Sequence, residues 1–251
     1  MLEPERVVLP LLVLLSLTAC TVLEDRDSCP CTLSFVPASD VGRVHLMLDT
    51  GSGFLWEDCV EDLGESRFQV PREMLRCCVV QGAEPGPEGS WLIPEGEDCP
   101  EIHMHRSRID ARCAEVTDTV TLHKYFCVMD IHLKGSASGK VRSLEVRSST
   151  AGYDRHGESA EGVFCHSPSR LKSGAYRLRL PRQLSSDLEM EVEFLSGSSA
   201  VFPLGVYMER LGYDWTAEDL EDVQLSIDGQ NSTVRIITSR WQKSLTFDLR
   251  I

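Results

Sequence analysis

Four residues in the middle of the sequence carry side chains that can bind zinc. They are Cys99, His103, His105 and Cys113. Two thiolates and two imidazoles can complete a tetrahedral Zn²⁺ site, but the C-x3-H-x-H-x7-C spacing matches no familiar zinc finger. Cysteines of exported proteins more often pair with each other. We therefore expect no metal site and no cofactor.

The segment Leu48-Asp49-Thr50-Gly51 copies the signature of aspartic proteases. In those enzymes two aspartates share a proton across a two-lobed site. This chain contains no second Asp-Thr-Gly or Asp-Ser-Gly, so only a homodimer could supply the partner. Asp and Gly after a strand are also ordinary turn residues. The pattern favours a turn over catalysis at Asp49.

The segment Cys29-Pro30-Cys31 has one residue between its cysteines, whereas redox-active pairs normally have two and lie at the start of a helix. A strand-like run follows it, which favours a structural role. The sequence also contains no nucleophile-elbow pattern and no phosphate-binding glycine loop after a strand. We expect no catalytic residues, no cofactor-binding residues and no small-molecule substrate.

An apolar run precedes a further cysteine near the start of the sequence. Val7 to Ala19 is shorter than the roughly 20 residues that a membrane-spanning helix needs, and it fits the apolar region of a secretory signal. It ends in Leu17-Thr18-Ala19-Cys20, which resembles the bacterial lipobox. Cys20 is therefore the predicted lipidation residue, and its acyl chains would bind outer-membrane lipid. A buried cysteine behind an unusual signal is the alternative.

The charge of the chain excludes one class of partner. The sequence has 39 acidic and 25 basic residues, a net charge of −14. Such a surface repels phosphate backbones, so nucleic acid is not an expected partner. Ten cysteines suggest a disulfide framework in an oxidising compartment. With Cys20 acylated, nine remain, so at least one is unpaired within the chain, and the connectivity stays open.

Most of the remaining sequence alternates between apolar and polar residues, as half-buried strands do. The clearest segments are Tyr125 to Lys134, Tyr176 to Leu180 and Leu188 to Phe194. Thr216 to Leu220 resembles a single helical turn capped by Thr216, with Asp219 at the reciprocal position. Leu245, Phe247, Leu249 and Ile251 point the same way at the end of the sequence.

Antiparallel strands with one apolar face need a second sheet to cover them, which predicts an all-β protein. The strands lengthen near residue 119, which predicts two tandem β-sandwich domains. The predicted division is a signal peptide at 1–19, a lipidated linker at 20–31, and sandwich domains at 32–118 and 119–251. Residues 99–113 fit no regular element.

Several short motifs together resemble the FimB-type fimbrillin-associated anchor lipoproteins of Bacteroidales type V pili. They are Cys20 with Glu24-Asp25-Arg26, Cys29-Pro30-Cys31, Leu122-His123-Lys124, Leu180-Pro181-Arg182-Gln183-Leu184, Phe202-Pro203-Leu204-Gly205, the run from Gly212 to Asp222, Ile227-Asp228 and Trp241. The resemblance implies transthyretin-like sandwiches, a fimbrillin stalk subunit as partner, and a lipid-anchored, surface-exposed position on the outer membrane. The same interpretation allows the subunit to end fibre growth.

In this family the stalk subunits polymerise by strand exchange after a protease removes the first strand. Here such a cut would also remove the lipid on Cys20, so the anchor is expected to keep its first strand. We expect it to join the fibre through Leu245, Phe247, Leu249 and Ile251, unless this segment merely closes its own sandwich. A surface lipoprotein adhesin that binds host protein or glycan is the alternative function.

Overall fold

Residues 29–135, 141–228 and 233–246 are described by the computed structural model of the chain. Nearly all regular structure in these ranges is β-strand, as the alternating sequence predicts. The tandem all-β sandwich architecture is therefore confirmed. No helix within the described ranges combines the length and apolar character needed to cross a bilayer.

Two sheets form the first half of the protein. Their strands are β1 (Cys31–Pro37), β2 (Val44–Thr50), β3 (Leu55–Val60), β4 (Arg67–Val70), β5 (Met74–Gln81), β7 (His103–Asp110), β8 (Glu115–Val120) and β9 (His123–Lys124). Sheet 1 has the order β4-β1-β8 and sheet 2 has the order β3-β2-β5-β7-β9. Their facing apolar residues, among them Leu33, Leu46 and Val79, form one buried cluster.

Two further sheets form the second half. Their strands are β10 (Phe126–Lys134), β11 (Val141–Tyr153), β12 (Ser159–His166), β13 (Tyr176–Pro181), β14 (Glu189–Phe194), β15 (Ser199–Phe202), β16 (Val223–Asp228), β17 (Thr233–Ile237) and β18 (Gln242–Thr246). Sheet 3 has the order β12-β11-β14-β15 and sheet 4 has the order β13-β10-β16-β17-β18. Met129, Val192 and Leu225 lie in the cluster between these sheets.

The same strand arrangement occurs in both halves. The first strand of each half pairs antiparallel with the fourth and parallel with a late strand: β1 with β4 and β8, and β10 with β13 and β16. Two pairs, β1–β8 and β10–β16, are thus parallel, whereas the sequence analysis considered antiparallel strands. The second half then continues beyond β16 with the β17–β18 hairpin, whereas β8 is the edge of sheet 1. This hairpin is an addition to the repeated pattern.

Sheet 2 is covered completely on one face and partly on the other. One face packs on sheet 1, and Met47, Cys78, Val80 and Met104 on the other face belong to the cluster of the second half. The two-residue strand β6 (Trp91–Leu92) pairs with Gly152 and Tyr153 of β11. This double coverage explains why every residue of β2 is buried. The boundary predicted at 118/119 stays a prediction.

Gly152 permits the contact between β6 and β11. Its φ of +129° is strained for other residues, and a Cβ there would lie 2.3 Å from the Trp91 carbonyl oxygen. The indole of Trp91 in turn contacts the His45 ring edge-on, with centroids 5.6 Å apart. The segment that carries β6 therefore contacts both sheet 2 and sheet 3.

Two local features differ from the sequence predictions. Residues 204–211 form helix α1 (Leu204–Leu211), which ends at Gly212 with φ +86°. Residues 216–220 form a turn and a bend instead of a helical turn. Asp214 Oδ1 accepts hydrogen bonds from the Thr216 N–H (2.8 Å) and hydroxyl (2.7 Å). Asp219 instead accepts a hydrogen bond from the backbone N–H of Lys124 at 2.7 Å.

Candidate assembly site

The first strand, β1, is the central strand of sheet 1. Leu33 of β1 lies opposite Phe68 of β4 on one side and Val116 of β8 on the other. Cys31, Leu33 and Phe35 point into the core and are at most 2% exposed. Because β1 has a hydrogen-bonded neighbour on each side, its removal would open a groove between β4 and β8. The predicted lipidation residue, Cys20, lies outside the described residues.

The last described strand occupies a different environment. β18 pairs with β17 along one edge and has no second strand neighbour within the part of the chain that the structure describes. Leu245 lies opposite Val234 and packs, half-buried, against the core of the second half. The neighbouring residues Lys243 and Ser244 are exposed. Phe247, Leu249 and Ile251 of the candidate strand-exchange segment lie outside the described residues.

Asp49 holds together parts of both halves. It is 6% exposed, and its Oδ1 accepts a hydrogen bond from Arg76 Nε at 2.6 Å. Its Oδ2 lies 3.1 Å from Nδ1 of His156, in the turn between β11 and β12. In the same turn Arg155 pairs with Glu57 of β3 at 3.3 Å. The carboxylate thus faces a guanidinium and an imidazole, where the protease mechanism needs a second carboxylate.

The four candidate zinc ligands do not converge. Cys99 is fully buried in the core, whereas Cys113 is exposed. The imidazole of His103 contacts the Phe126 ring edge-on at 5.5 Å. Among the described residues there is no group of three His, Cys, Asp or Glu side chains placed to hold a metal ion.

His105 belongs instead to a polar network inside the first sandwich. Its Nε2 lies 3.3 Å from Asp118 Oδ2, and the same oxygen accepts a hydrogen bond from the Ser107 hydroxyl at 2.6 Å. Burial opposes ionisation of Asp118, but the hydrogen bonds from His105 and Ser107 outweigh it and lower the pKa of that carboxyl. His105 and Ser107 of β7 thus share one hydrogen-bond partner, Asp118 of β8.

All nine described cysteines have free thiols. Burial raises the pKa of Cys78 and Cys127 to about 12, so both remain protonated and unreactive at neutral pH. Burial, followed by the neighbouring Cys113 thiol, raises the pKa of Cys31. The disulfide framework expected from the sequence stays a prediction.

The fold of this chain is similar to that of several solved structures. No model of a known protein family matches the sequence, and no curated protein matches it significantly. Among solved structures, the chain aligns over 85% of its length with 99% of Mfa2, the fimbrial anchor protein of Porphyromonas gingivalis, with a TM-score of 0.56 and 13% identity. The chain has the fold of Mfa2. A fimbrial anchor is thus among its structural neighbours, as the sequence resemblance predicts.

Two Bacteroides thetaiotaomicron proteins share this Mfa2 fold. One is provisionally assigned to polysaccharide binding, and it aligns at a TM-score of 0.61 and 10% identity. The other is provisionally assigned as an adhesin, with a TM-score of 0.57 and 12% identity. Both alignments cover 87% of this chain and 99% of the other. At such low identity the likeness concerns the fold, and it extends over both sandwiches.

Proposed function

We propose that this protein is a non-catalytic structural subunit that anchors a fimbrium to the outer membrane. Acyl chains on Cys20 would hold it at the membrane surface, and the partner would be a fimbrillin stalk subunit. The observation that carries the proposal is the contrast between its two ends: β1 is enclosed between β4 and β8, whereas β18 lies at the edge of sheet 4. The Mfa2-like fold across both sandwiches supports the same role.

Loss of the gene should release fimbriae from the cell. In a disrupted strain we expect long fimbriae in the culture medium, because fibres would form without a membrane attachment. Immunoblots of medium and cell fractions with an antibody against the stalk subunit would measure this, with the complemented strain as control. Fimbriae that stay on the disrupted cells would contradict anchoring.

The adhesin hypothesis gives a different result in the same strain. This second function is favoured by two structural neighbours, one provisionally assigned as an adhesin and one to polysaccharide binding. An adhesin that is not an anchor should leave the fimbriae attached and normal in length. Binding to host protein or glycan would then be the property that is lost.

We further propose that the C-terminal segment completes the sheet of the neighbouring subunit. An added strand gains affinity from its main chain and register from its alternate side chains. β18 is a strand outside the repeated sandwich pattern, so donating it leaves the rest of each sandwich paired. The apolar residues Phe247, Leu249 and Ile251 would then occupy successive positions of the partner's groove.

Deleting residues 246–251 should detach the fimbriae while the monomer stays folded. Within that segment, replacing Phe247, Leu249 and Ile251 by serine should have the same effect. Replacing the alternate residues Asp248 and Arg250 by serine is the matched control, since their side chains would face away from the groove. Attached fimbriae in the deletion strain, with a folded monomer shown by circular dichroism, would exclude donation by this segment.

A further inference from the structure

Three arginines lie together on the uncovered part of sheet 2. Arg76 of β5 is directly opposite Arg108 of β7, and Arg106 lies two residues before Arg108 on the same face. These side chains, with His156 from the second half, line a pocket of about 350 Å³. Such a group of cations is notable in a chain whose net charge is −14.

Like charges directly opposite each other on neighbouring strands destabilise a sheet. Two of the three arginines are neutralised by the protein itself. Arg76 Nε donates to Asp49 at 2.6 Å, and Arg106 forms an ion pair with Glu158. Arg108 has no hydrogen-bond or ion-pair partner in the described ranges. The pocket therefore keeps one uncompensated positive charge, that of Arg108.

The free donors of this pocket suit a tetrahedral oxyanion. Arg76 uses only its Nε on Asp49, so its two terminal NH₂ groups remain available beside the whole guanidinium of Arg108. Two guanidinium forks on adjacent strands can bind phosphate oxygens in the bidentate manner that makes arginine common in phosphate sites. A bound anion between them would also convert the Arg76–Arg108 repulsion into attraction.

We infer that the pocket between Arg76, Arg106, Arg108 and His156 binds a phosphate group. The phosphate could be carried by a sugar or by a lipid head group, since both present the same oxygens. The site is independent of the proposed anchoring role, because it uses neither β18 nor Cys20. Its presence or absence therefore leaves that proposal untouched.

Calorimetric titration of the full-length, detergent-solubilised protein with inorganic phosphate would test this site. We expect saturable binding at constant ionic strength, and weaker binding when salt is raised. Arg108→Gln should raise the dissociation constant about tenfold or more, since a charge-assisted hydrogen bond contributes about 1.5–3 kcal/mol. Arg108→Lys, which keeps the charge but loses the fork, should give an intermediate value.

Arg235→Gln is the matched control, because Arg235 is also an exposed arginine on a strand but lies in sheet 4. It should bind phosphate as the wild type does. Titrations with glucose 6-phosphate and glycerol 3-phosphate then distinguish the two sources. Tighter binding of glucose 6-phosphate indicates a sugar phosphate, and tighter binding of glycerol 3-phosphate indicates a lipid head group. The absence of saturable phosphate binding, or equal weakening by Arg108→Gln and Arg235→Gln, would overturn the inference.

Discussion

A protein that carries both Leu17→Ala and Cys20→Ala should be released from the outer membrane into the soluble fraction. Cys20 is the predicted site of acylation, and each buried methylene of an acyl chain contributes about 0.8 kcal/mol to membrane binding. One chain binds only marginally, so the two or three chains of a bacterial lipoprotein make the attachment effectively permanent.

The Leu17→Ala change serves a separate purpose. With Cys20 replaced, lipoprotein processing would stop and leave the apolar signal attached. Small residues at positions 17 and 19 satisfy the ordinary signal peptidase, so the double variant can still be cut and exported. Cell fractionation followed by immunoblotting would locate the protein.

Cys29→Ala is the control for this experiment, because Cys29 is a nearby exposed cysteine outside the lipobox. That variant should remain entirely in the outer-membrane fraction. Mass spectrometry of the wild type should find acyl groups on an N-terminal Cys20. An unmodified N-terminus, or a double variant that stays in the outer membrane, would show that lipid on Cys20 does not hold the protein.

Strands were predictable from the sequence where one face meets solvent and the other the core. Leu188, Met190 and Val192 alternate with glutamates, and the structure buries all three in the core between sheets 3 and 4. The alternation in Tyr125 to Lys134 likewise marks β10, a central strand of sheet 4. In such strands each side chain faces either solvent or the core, so the polarity of a residue shows which face of the strand it lies on.

Strand β7 could not be recognised in this way. Its sequence, HMHRSRID, contains only two apolar residues, although it lies inside sheet 2. One face carries His105 and Ser107, which are satisfied by Asp118 on β8. The other face carries Arg106 and Arg108 beyond the area that the second half covers. A polar residue that is partly buried against a partner on another strand gives no local sign of burial.

The sequence also could not predict which strands pair with each other. Periodicity shows which face of a strand is apolar, but not whether its neighbour runs parallel or antiparallel. The parallel pairs β1–β8 and β10–β16 join segments that are far apart in the sequence. Helix α1 was missed for a different reason: it has only eight residues between Pro203 and Gly212, and its buried Leu204, Tyr207, Met208 and Leu211 also fit an irregular apolar segment.

Among the residues that the sequence suggested by type alone, Asp49 and His105 contact neighbouring polar side chains of the fold. Asp49 joins sheet 2 to the β11–β12 turn through Arg76 and His156. The arginines of the phosphate pocket were not found, because Arg76 and Arg108 become neighbours only through strand pairing. A pattern of residue types in sequence therefore says little about a site whose members are brought together by the sheet.

Phe35→Ala should lower the free energy of unfolding by about 3–5 kcal/mol, the usual cost of removing a buried phenylalanine from a core. The Phe35 side chain is 2% exposed and meets the Phe68 ring edge-on, with centroids 5.7 Å apart. Phe68 in turn contacts Trp56, with centroids 4.9 Å apart. Truncation therefore leaves a cavity between sheet 1 and sheet 2. Urea denaturation followed by fluorescence would measure the resulting loss in the free energy of unfolding.

Val36→Ala is the matched control on the same strand. Val36 is 52% exposed on the opposite face of β1, so its truncation should change stability by no more than about 0.5 kcal/mol. A large difference between the two variants means that β1 is part of the folded core. The proposed anchor needs this, because a lipid on Cys20 would hold the fibre only while β1 remains in place. Equal urea midpoints for the two variants would mean that β1 can be removed without unfolding the protein. A lipid attached ahead of β1 would then not anchor the fibre.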